Sequence, residues 1–542
     1  MTAVLSYHES TKHSFHRFAR SLGYLDWAAQ PDPFRRYEGA AGISLPRAAL
    51  RADVPYSTLF TGSAEAAPIE PSAVGELLRC AMGLSAWKQY ETSRWALRVN
   101  PSSGNLHPTE CYVVWDGNIC HYAPRQHELE IRARLDLERG SRPVSSADVL
   151  LVGLTSILWR EAWKYGERAF RYCQHDVGHA IGALSVAAAL LGWQTTMLHV
   201  TDETIAALLG VDRDADYGAA EREEPECLLA IGPIRVPQPD VPALAAMARR
   251  STWSGRANVL SKSHVDWPAI DEVARATRRD GVSPRMPTRP RFGPSGRRHA
   301  GPQEGSLARQ IILRRRSALG FDGRSSLSVA RFLQMLRRLD PVSPPWTALD
   351  WPPQVHLVLF VHRVEGLMPG LYAYLRDPTA RDELRSAMRP DFLWEPTNDS
   401  NDSNDSNVSN DSNDSNGSND LFLLVPADVR FTANRLSCDQ DIASDGFFSL
   451  AMIARVEPAL REHGDWFYRR LFWECGVIGQ VLYLEAEAAG SRATGIGCFY
   501  DDPVHEVLGL TGMHWQTLYH FSVGVPVDDG RLTSEAGYAG DW

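Results

Sequence analysis

Apolar residues recur at helical spacing through Leu77, Leu78, Met82, Leu84 and Trp87, which predicts a core-facing helix over 71–97. The pattern then shifts to short apolar runs. Residues 111–115 and 119–122 flank Asp116-Gly117-Asn118 as a hairpin would, and 149–154 adds another strand. Residues 157–172 lead into a run from Asp176 to Trp193. There the small residues Ala180, Gly182, Ala183, Ala187 and Ala188 predict a closely packed buried helix that stops at Gly192. A strand over 226–233 closes the first half, and 355–361 and 370–374 predict two more. Residues 1–50, with His8, Lys12, His13 and His16, read as a polar helix followed by an extended arm.

Two stretches break the pattern. Residues 241–305 are rich in Arg, Pro, Gly and Ser, with prolines at 284, 287, 290 and 294, and read as a linker holding one helical piece near 271–279. Residues 398–420 repeat Asn-Asp-Ser without apolar content and predict a disordered insertion. On either side of the linker the chain repeats itself. The segment 176–192 aligns without gaps on 474–490, so that Gly178 falls on Gly476, 298 residues later. A period of that size is a tandem domain rather than a solenoid. The expected domains are therefore 1–240 and 306–542, joined by the linker 241–305.

Composition narrows the class. A formal charge of −10 over 542 residues excludes strong sequence-independent binding to nucleic acid. The longest apolar run, 180–193, is too short for a membrane span. Eight cysteines without a Cys-x-x-Cys pair support neither a zinc ribbon nor a disulfide framework, no metal site is expected, and a reducing cytoplasm fits. Only four of the 56 basic residues are lysines, Lys12, Lys88, Lys164 and Lys262, which draws attention to each as a titratable amine.

Candidate chemistry concentrates in 98–108, Arg-Val-Asn-Pro-Ser-Ser-Gly-Asn-Leu-His-Pro, just ahead of the strand at 111–115. Pro101 and Pro108 restrict the backbone, Gly104 permits close approach, and Ser102, Ser103 and Asn105 offer compact hydrogen-bonding groups. Alone, the string also suits a surface turn. Together with Glu110-Cys-Tyr-Val-Val114, it resembles the flavin-edge loop of the nitroreductase superfamily, in particular the SagB-like azoline dehydrogenases. Lys164-Tyr165-Gly-Glu-Arg168 is similar to their Lys-Tyr catalytic motif, and the openings at 7–13 and 27–37 are similar too. In the second half, Arg315-Arg316-Ser317 resembles the flavin-phosphate helix start, and Gly495-Ile496-Gly497 the flavin-facing loop. Leu319 stands where a second basic residue usually follows that serine, and Arg531 is the candidate substitute.

The resemblance implies an α+β fold of two tandem nitroreductase-like domains forming an internal pseudo-dimer, so that one chain suffices for what is usually a homodimer. It implies FMN as cofactor, held by Arg98, Pro101, Ser102, Ser103, Asn105, Arg315, Arg316, Ser317, Gly495, Ile496, Gly497 and Arg531, with Lys164 and Tyr165 catalytic. The implied activity is oxidation of azoline rings to azoles in a ribosomal peptide or related substrate, with a cyclodehydratase-type partner. Two alternatives stay open. One is a general nitro- or quinone reductase using a nicotinamide donor, and the other a catalytically degenerate scaffold in a peptide-modifying complex. The pieces are unequally shared, since the 101–105 loop occurs only in the first half and Arg315-Arg316-Ser317 only in the second. At the offset of 298, Lys164-Tyr165 meets Glu462-His463, so one complete flavin site and one degenerate one are expected.

Overall fold

A computed structural model describes residues 2–62, 64–136, 149–233, 239–281, 306–397 and 420–539. Its frame is two seven-stranded sheets. The first runs in the order Ala41–Ser44, Glu128–Arg134, Asn118–Ala123, Thr109–Trp115, Leu150–Ser156, Glu224–Gly232, Gln194–Met197. The second runs Glu395–Pro396, Leu421–Pro426, Gly370–Tyr374, Val355–Val361, Phe448–Arg455, Trp515–Gly524, Arg492–Ile496. Both ladders are antiparallel throughout. Their six inner and far-edge strands occur in the same chain order, so the duplication extends from sequence to topology. The predicted hairpin turns at Asp116-Gly117, where both φ angles are positive and Trp115 pairs with Asn118.

The two central helices, Ala169–Leu190 and Phe467–Ala488, are each 22 residues long and start 298 residues apart. They cross at the aligned glycines. A Cβ on Gly178 would lie 2.3 Å from the Trp473 carbonyl oxygen, and one on Gly476 would lie 2.3 Å from that of His175. Only glycine lets the two backbones meet there. Around the crossing, a single apolar core draws on both halves. Each half then covers the other face of its own sheet, the first with a cluster that includes Leu208 and Leu228, the second with one that includes Leu384 and Trp515.

The chain ends are exchanged between halves. The N-terminal helix Ala3–Ser10 sets His8 against Tyr468 (2.9 Å) and Gln516 (3.2 Å) of the second half. Strand Thr533–Ala536 returns to pair with Leu84–Tyr90 of the first. Burial lowers His8 and brings His13 down to about 3, so both are neutral packing groups.

Three expectations are corrected or left aside. The helix predicted over 71–97 ends at Ala81, and Leu84–Tyr90 and Ser93–Arg98 form a hairpin that the C-terminal strand extends to three strands. Residues 241–281 hold the helical piece expected near 271–279, but the rest of this stretch is packed rather than linker. Helix Val241–Arg250 buries Val241, Leu244, Ala245 and Ala248 against the first sheet, Arg256–Ala257 pairs with Tyr37–Glu38, and helix Pro268–Ala276 buries Ile270 and Val273. Of the remaining linker, 282–305 lies outside the described residues, as does the Asn-Asp-Ser repeat up to 419.

Candidate active site

The Lys-Tyr motif closes helix Leu158–Tyr165, which Gly166 terminates with a φ of 57°. Side chains on adjacent residues of a helix diverge, yet at this end they meet over one point. A Cβ on Gly104 would lie 2.6 Å from Tyr165 Oη and 3.1 Å from Lys164 Nζ. Gly104, with φ at 57°, sits in the 3-10 turn Ser103–Asn105, so the loop and the dyad form one site. The loop is tied from below, as Ser103 donates to Asp176 Oδ1 through N (3.0 Å) and Oγ (3.1 Å). Asn105 Nδ2 donates to the Ala96 carbonyl at 2.9 Å, and Ser102 Oγ accepts from His107 N at 2.7 Å. Pro101 is buried at the entrance to the turn.

The second half reaches the loop through Arg315. Its Nε donates to the Val99 carbonyl (2.8 Å) and its Nη2 to that of Arg98 (3.0 Å), while Nη1 is buried without a partner. Arg98 joins the site through that carbonyl. Its guanidinium turns away toward the Phe34 ring, 5.7 Å off. Tyr483 Oη links two of the predicted segments, standing 3.0 Å from Ser317 Oγ and accepting from Gly495 N at 2.9 Å. Gly495 and Gly497 face tyrosines, since a Cβ on either would collide with the side chain of Tyr519 or of Tyr172 respectively. Ile496 between them is buried. Tyr172 packs edge-on to Tyr165 at 4.6 Å and donates to the Gly497 carbonyl at 3.1 Å.

Arg316 donates only to main-chain carbonyls, those of Leu313, Arg315 and Ser85. Burial, followed by the charges of Arg315 and Arg492, brings it down to about 9. Lys88 is lowered by burial and then by Arg316 and Arg492. Glu487 lies among these cations and Arg492 pairs with Asp528 at 2.9 Å, but Arg315, Arg316, Lys88 and Arg492 outnumber the two carboxylates, so the set would gain from a further anion such as a phosphate. Lys88 stands out in the sequence only as one of four lysines, with nothing to place it in this cluster, and nothing in the sequence marks Arg492. Arg531 stays on the surface, forked onto Asp529 at 2.7 Å with its side chain 72% exposed.

Two carboxyl groups beneath the dyad were also missed. Glu161 is buried with both oxygens unpartnered, and burial with the neighbouring Asp176 raises it well above the carboxylate range. Burial pushes Asp176 up to about 7, against hydrogen bonds from Ser102 and Ser103. The same burial, with Glu161, raises Tyr165 and keeps its phenol protonated. The native state thus holds an Asp176 proton that the unfolded chain releases above its ordinary 3.8. Stability should fall as pH rises from there to about 7 and be flat above. Asp176→Asn should remove that component, read as the difference in denaturant midpoints between wild type and variant across pH. An unchanged difference would mean that Asp176 titrates normally.

The pseudo-symmetric position carries different side chains. Strands Thr109–Trp115 and Val355–Val361 align through their partners Ser156 and Ala454, which puts Asp350 where the first copy has Gly104. Asp350 pairs with Arg470 at 2.5 Å and His199 at 2.9 Å. Those two stand in the places of Tyr172 and Gly497. Arg470 holds Asp350 at about 2 despite burial. Glu462 and His463 replace the dyad, and Asp350, paired with Arg470 and His199, stands where the first copy has Gly104.

Residues 64–232 match the model of the Nitroreductase family. Among solved structures, a nitroreductase-type protein of Anabaena variabilis is similar at 19% identity, with a TM-score of 0.64 over 97% of this chain and all of that one, which shows a shared fold over both halves. A nitroreductase-type protein of Ralstonia eutropha overlaps 37% of this chain and 96% of its own at 16% identity and a TM-score of 0.27. An Escherichia coli microcin synthetase complex, with a truncated pro-microcin bound, overlaps 40% of this chain and 70% of its own at 18% identity and a TM-score of 0.28. No curated protein matches the sequence. Among the described residues, no helix is long and apolar enough to cross a membrane, and no group of three or more His, Cys, Asp or Glu is placed to hold a metal ion.

Proposed function

We propose that the chain is an FMN-dependent oxidoreductase of the SagB-like kind, oxidising azoline rings to azoles in a ribosomal peptide or related substrate in the cytoplasm, beside a cyclodehydratase-type partner that supplies the azoline. The observation that carries this reading is the convergence of Lys164 Nζ and Tyr165 Oη on Gly104, in a loop that Arg315 ties to the cation cluster. Arg315, Arg316, Lys88 and Ser317 would hold the phosphate end of the cofactor, and the 101–105 loop its polar ring edge. FMN, when bound, supplies a two-electron acceptor. Azole formation also releases a proton, and that transfer falls to the chain. Tyr165, kept neutral by burial, would donate a hydrogen bond toward the substrate, and Lys164 is its partner in proton handling. One site per chain is expected, since the other copy has Asp350, Arg470 and His199 in the places of Gly104, Tyr172 and Gly497.

Visible absorption with quantitation of released flavin tests this directly, and one FMN per chain is expected. Two per chain would mean that the Asp350 cluster opens. Oxidation of an azoline-containing peptide separates the dehydrogenase from a general reductase, which would instead turn over nitro compounds or quinones with a nicotinamide donor. A chain that takes up no flavin would favour the scaffold alternative. Arg316→Gln should weaken flavin binding about tenfold or more, since a hydrogen bond to a charged group contributes roughly 1.5–3 kcal/mol. Arg531→Ala should change it little. Fluorescence titration of apoprotein measures both, and the reverse order would return Arg531 to the phosphate site.

A further inference from the structure

Cys438 and Cys498 are the two cysteines of the eight that are not fully buried, and their sulfurs stand 2.9 Å apart although their positions in the chain are 60 residues apart. The turns carrying them are knitted together. Gln440 Nε2 donates to the Cys498 carbonyl at 3.0 Å and to that of Ser437 at 2.7 Å, and Tyr500 N donates to the Leu436 carbonyl at 2.9 Å. The two thiols are therefore held facing each other by Gln440 and a main-chain hydrogen bond, with the sulfurs 2.9 Å apart. Cys498 directly follows Gly497, whose carbonyl accepts from Tyr172 Oη (3.1 Å) and Arg168 Nη2 (3.4 Å). A hydrogen bond from Cys438, aided by the Arg168 guanidinium, draws Cys498 below the ordinary thiol range against burial. Cys438 is raised as the hydrogen-bonding partner.

We propose that Cys438 and Cys498 are a redox-active dithiol, oxidised by low-molecular-weight disulfides to an intrachain bond that ties the 495–497 loop to the 437–440 turn. In the first step the Cys498 thiolate attacks one sulfur of the small disulfide. The Cys498–S–S–R bond forms, the small S–S bond breaks, and one R–S⁻ leaves. In the second step Cys438 gives up its proton to solvent and attacks the Cys498 sulfur, expelling the second R–S⁻. Two protein thiols are oxidised, and one small disulfide is reduced to two thiols. The reverse exchange with excess small thiol reopens the bond.

The test uses the full chain, reduced and then incubated with oxidised glutathione, with denatured thiol counting, intact mass and peptide mapping as readouts. Oxidation should leave six of the eight thiols titratable, a mass lower by two hydrogens without a glutathione adduct, and a peptide joining 438 to 498. A dithiol reductant should restore all eight. Cys438→Ser should stop at a stable glutathione adduct on Cys498, and Cys498→Ser should leave Cys438 largely unmodified. Persistence of all eight thiols, a bond between other cysteines, or linkage only between chains would overturn the proposal. The mapping on the unmutated chain decides the matter even if a serine variant folds poorly.

Discussion

Lys164→Ala and Tyr165→Phe are each expected to leave FMN bound and to lower turnover of an azoline-containing peptide roughly a hundredfold or more, within the 10² to 10⁴-fold typical of general acid–base groups. Binding survives because neither side chain belongs to the cation cluster of Arg315, Arg316, Lys88 and Arg492. Turnover falls because both reactive atoms close on Gly104, where no other side chain approaches as near. Glu462→Ala and His463→Ala provide the matched control. They sit 298 residues later at the end of the equivalent helix, in the copy that carries Asp350, Arg470 and His199 in place of Gly104, Tyr172 and Gly497. They should be nearly silent in activity. Equal losses from both pairs would mean two working sites, and an unaffected Lys-Tyr variant in a protein with measured turnover would remove the dyad from the mechanism.

The largest effect on stability is expected at the helix crossing. Gly178→Leu or Gly476→Leu drives a side chain into a main-chain carbonyl 2.3 Å from the first added carbon, and the backbone of a buried 22-residue helix cannot give way locally. Overpacking by extra methylenes typically costs 1–3 kcal/mol, and with two backbones in opposition about 3 kcal/mol or more is expected. Thermal or denaturant melting reads the loss. Gly182→Ala is the graded comparison, because it adds a single carbon that meets Gln480 Cβ at 2.9 Å rather than a main-chain carbonyl at 2.3 Å, and a smaller loss is expected. If the leucine variants melted like the wild type, the halves would have to be joined by some other contact.

Helices and strands with unmixed periods were legible in advance. The hairpin at Asp116-Gly117, the buried helix ending near Gly192 and the strands at 355–361 and 370–374 all appear close to their predicted places. The failure at 71–97 has a physical cause. Leu77 and Leu78 belong to an 11-residue helix, whereas Leu84, Ala86 and Ala96 are buried in a hairpin whose third strand comes from Thr533–Ala536. A local window sees one run of apolar residues and cannot register a partner some 450 positions away. The linker reading of 241–281 failed for a related reason. Its few apolar residues are spaced to cover the far face of a sheet that the local composition does not reveal.

For the site, sequence alone determined which short segments carry unusual chemistry, because proline, glycine, paired arginines and a rare lysine announce themselves locally. It also determined that the chain is written twice, and that Gly178 and Gly476 correspond. Only the tertiary structure decided that Lys164 Nζ and Tyr165 Oη both lie against Gly104, that Arg98 offers a carbonyl rather than its charge, and that Arg531 stays on the surface. It alone supplied Tyr172, Tyr483, Asp176 and Arg492, which in the sequence look like ordinary helix and strand residues, and put Lys88 beside Arg316. The reason is distance along the chain. Periodicity and turn chemistry are set by neighbours a few residues apart, whereas this site is made where two copies of one fold meet, and the atoms that face each other there are up to about four hundred residues apart.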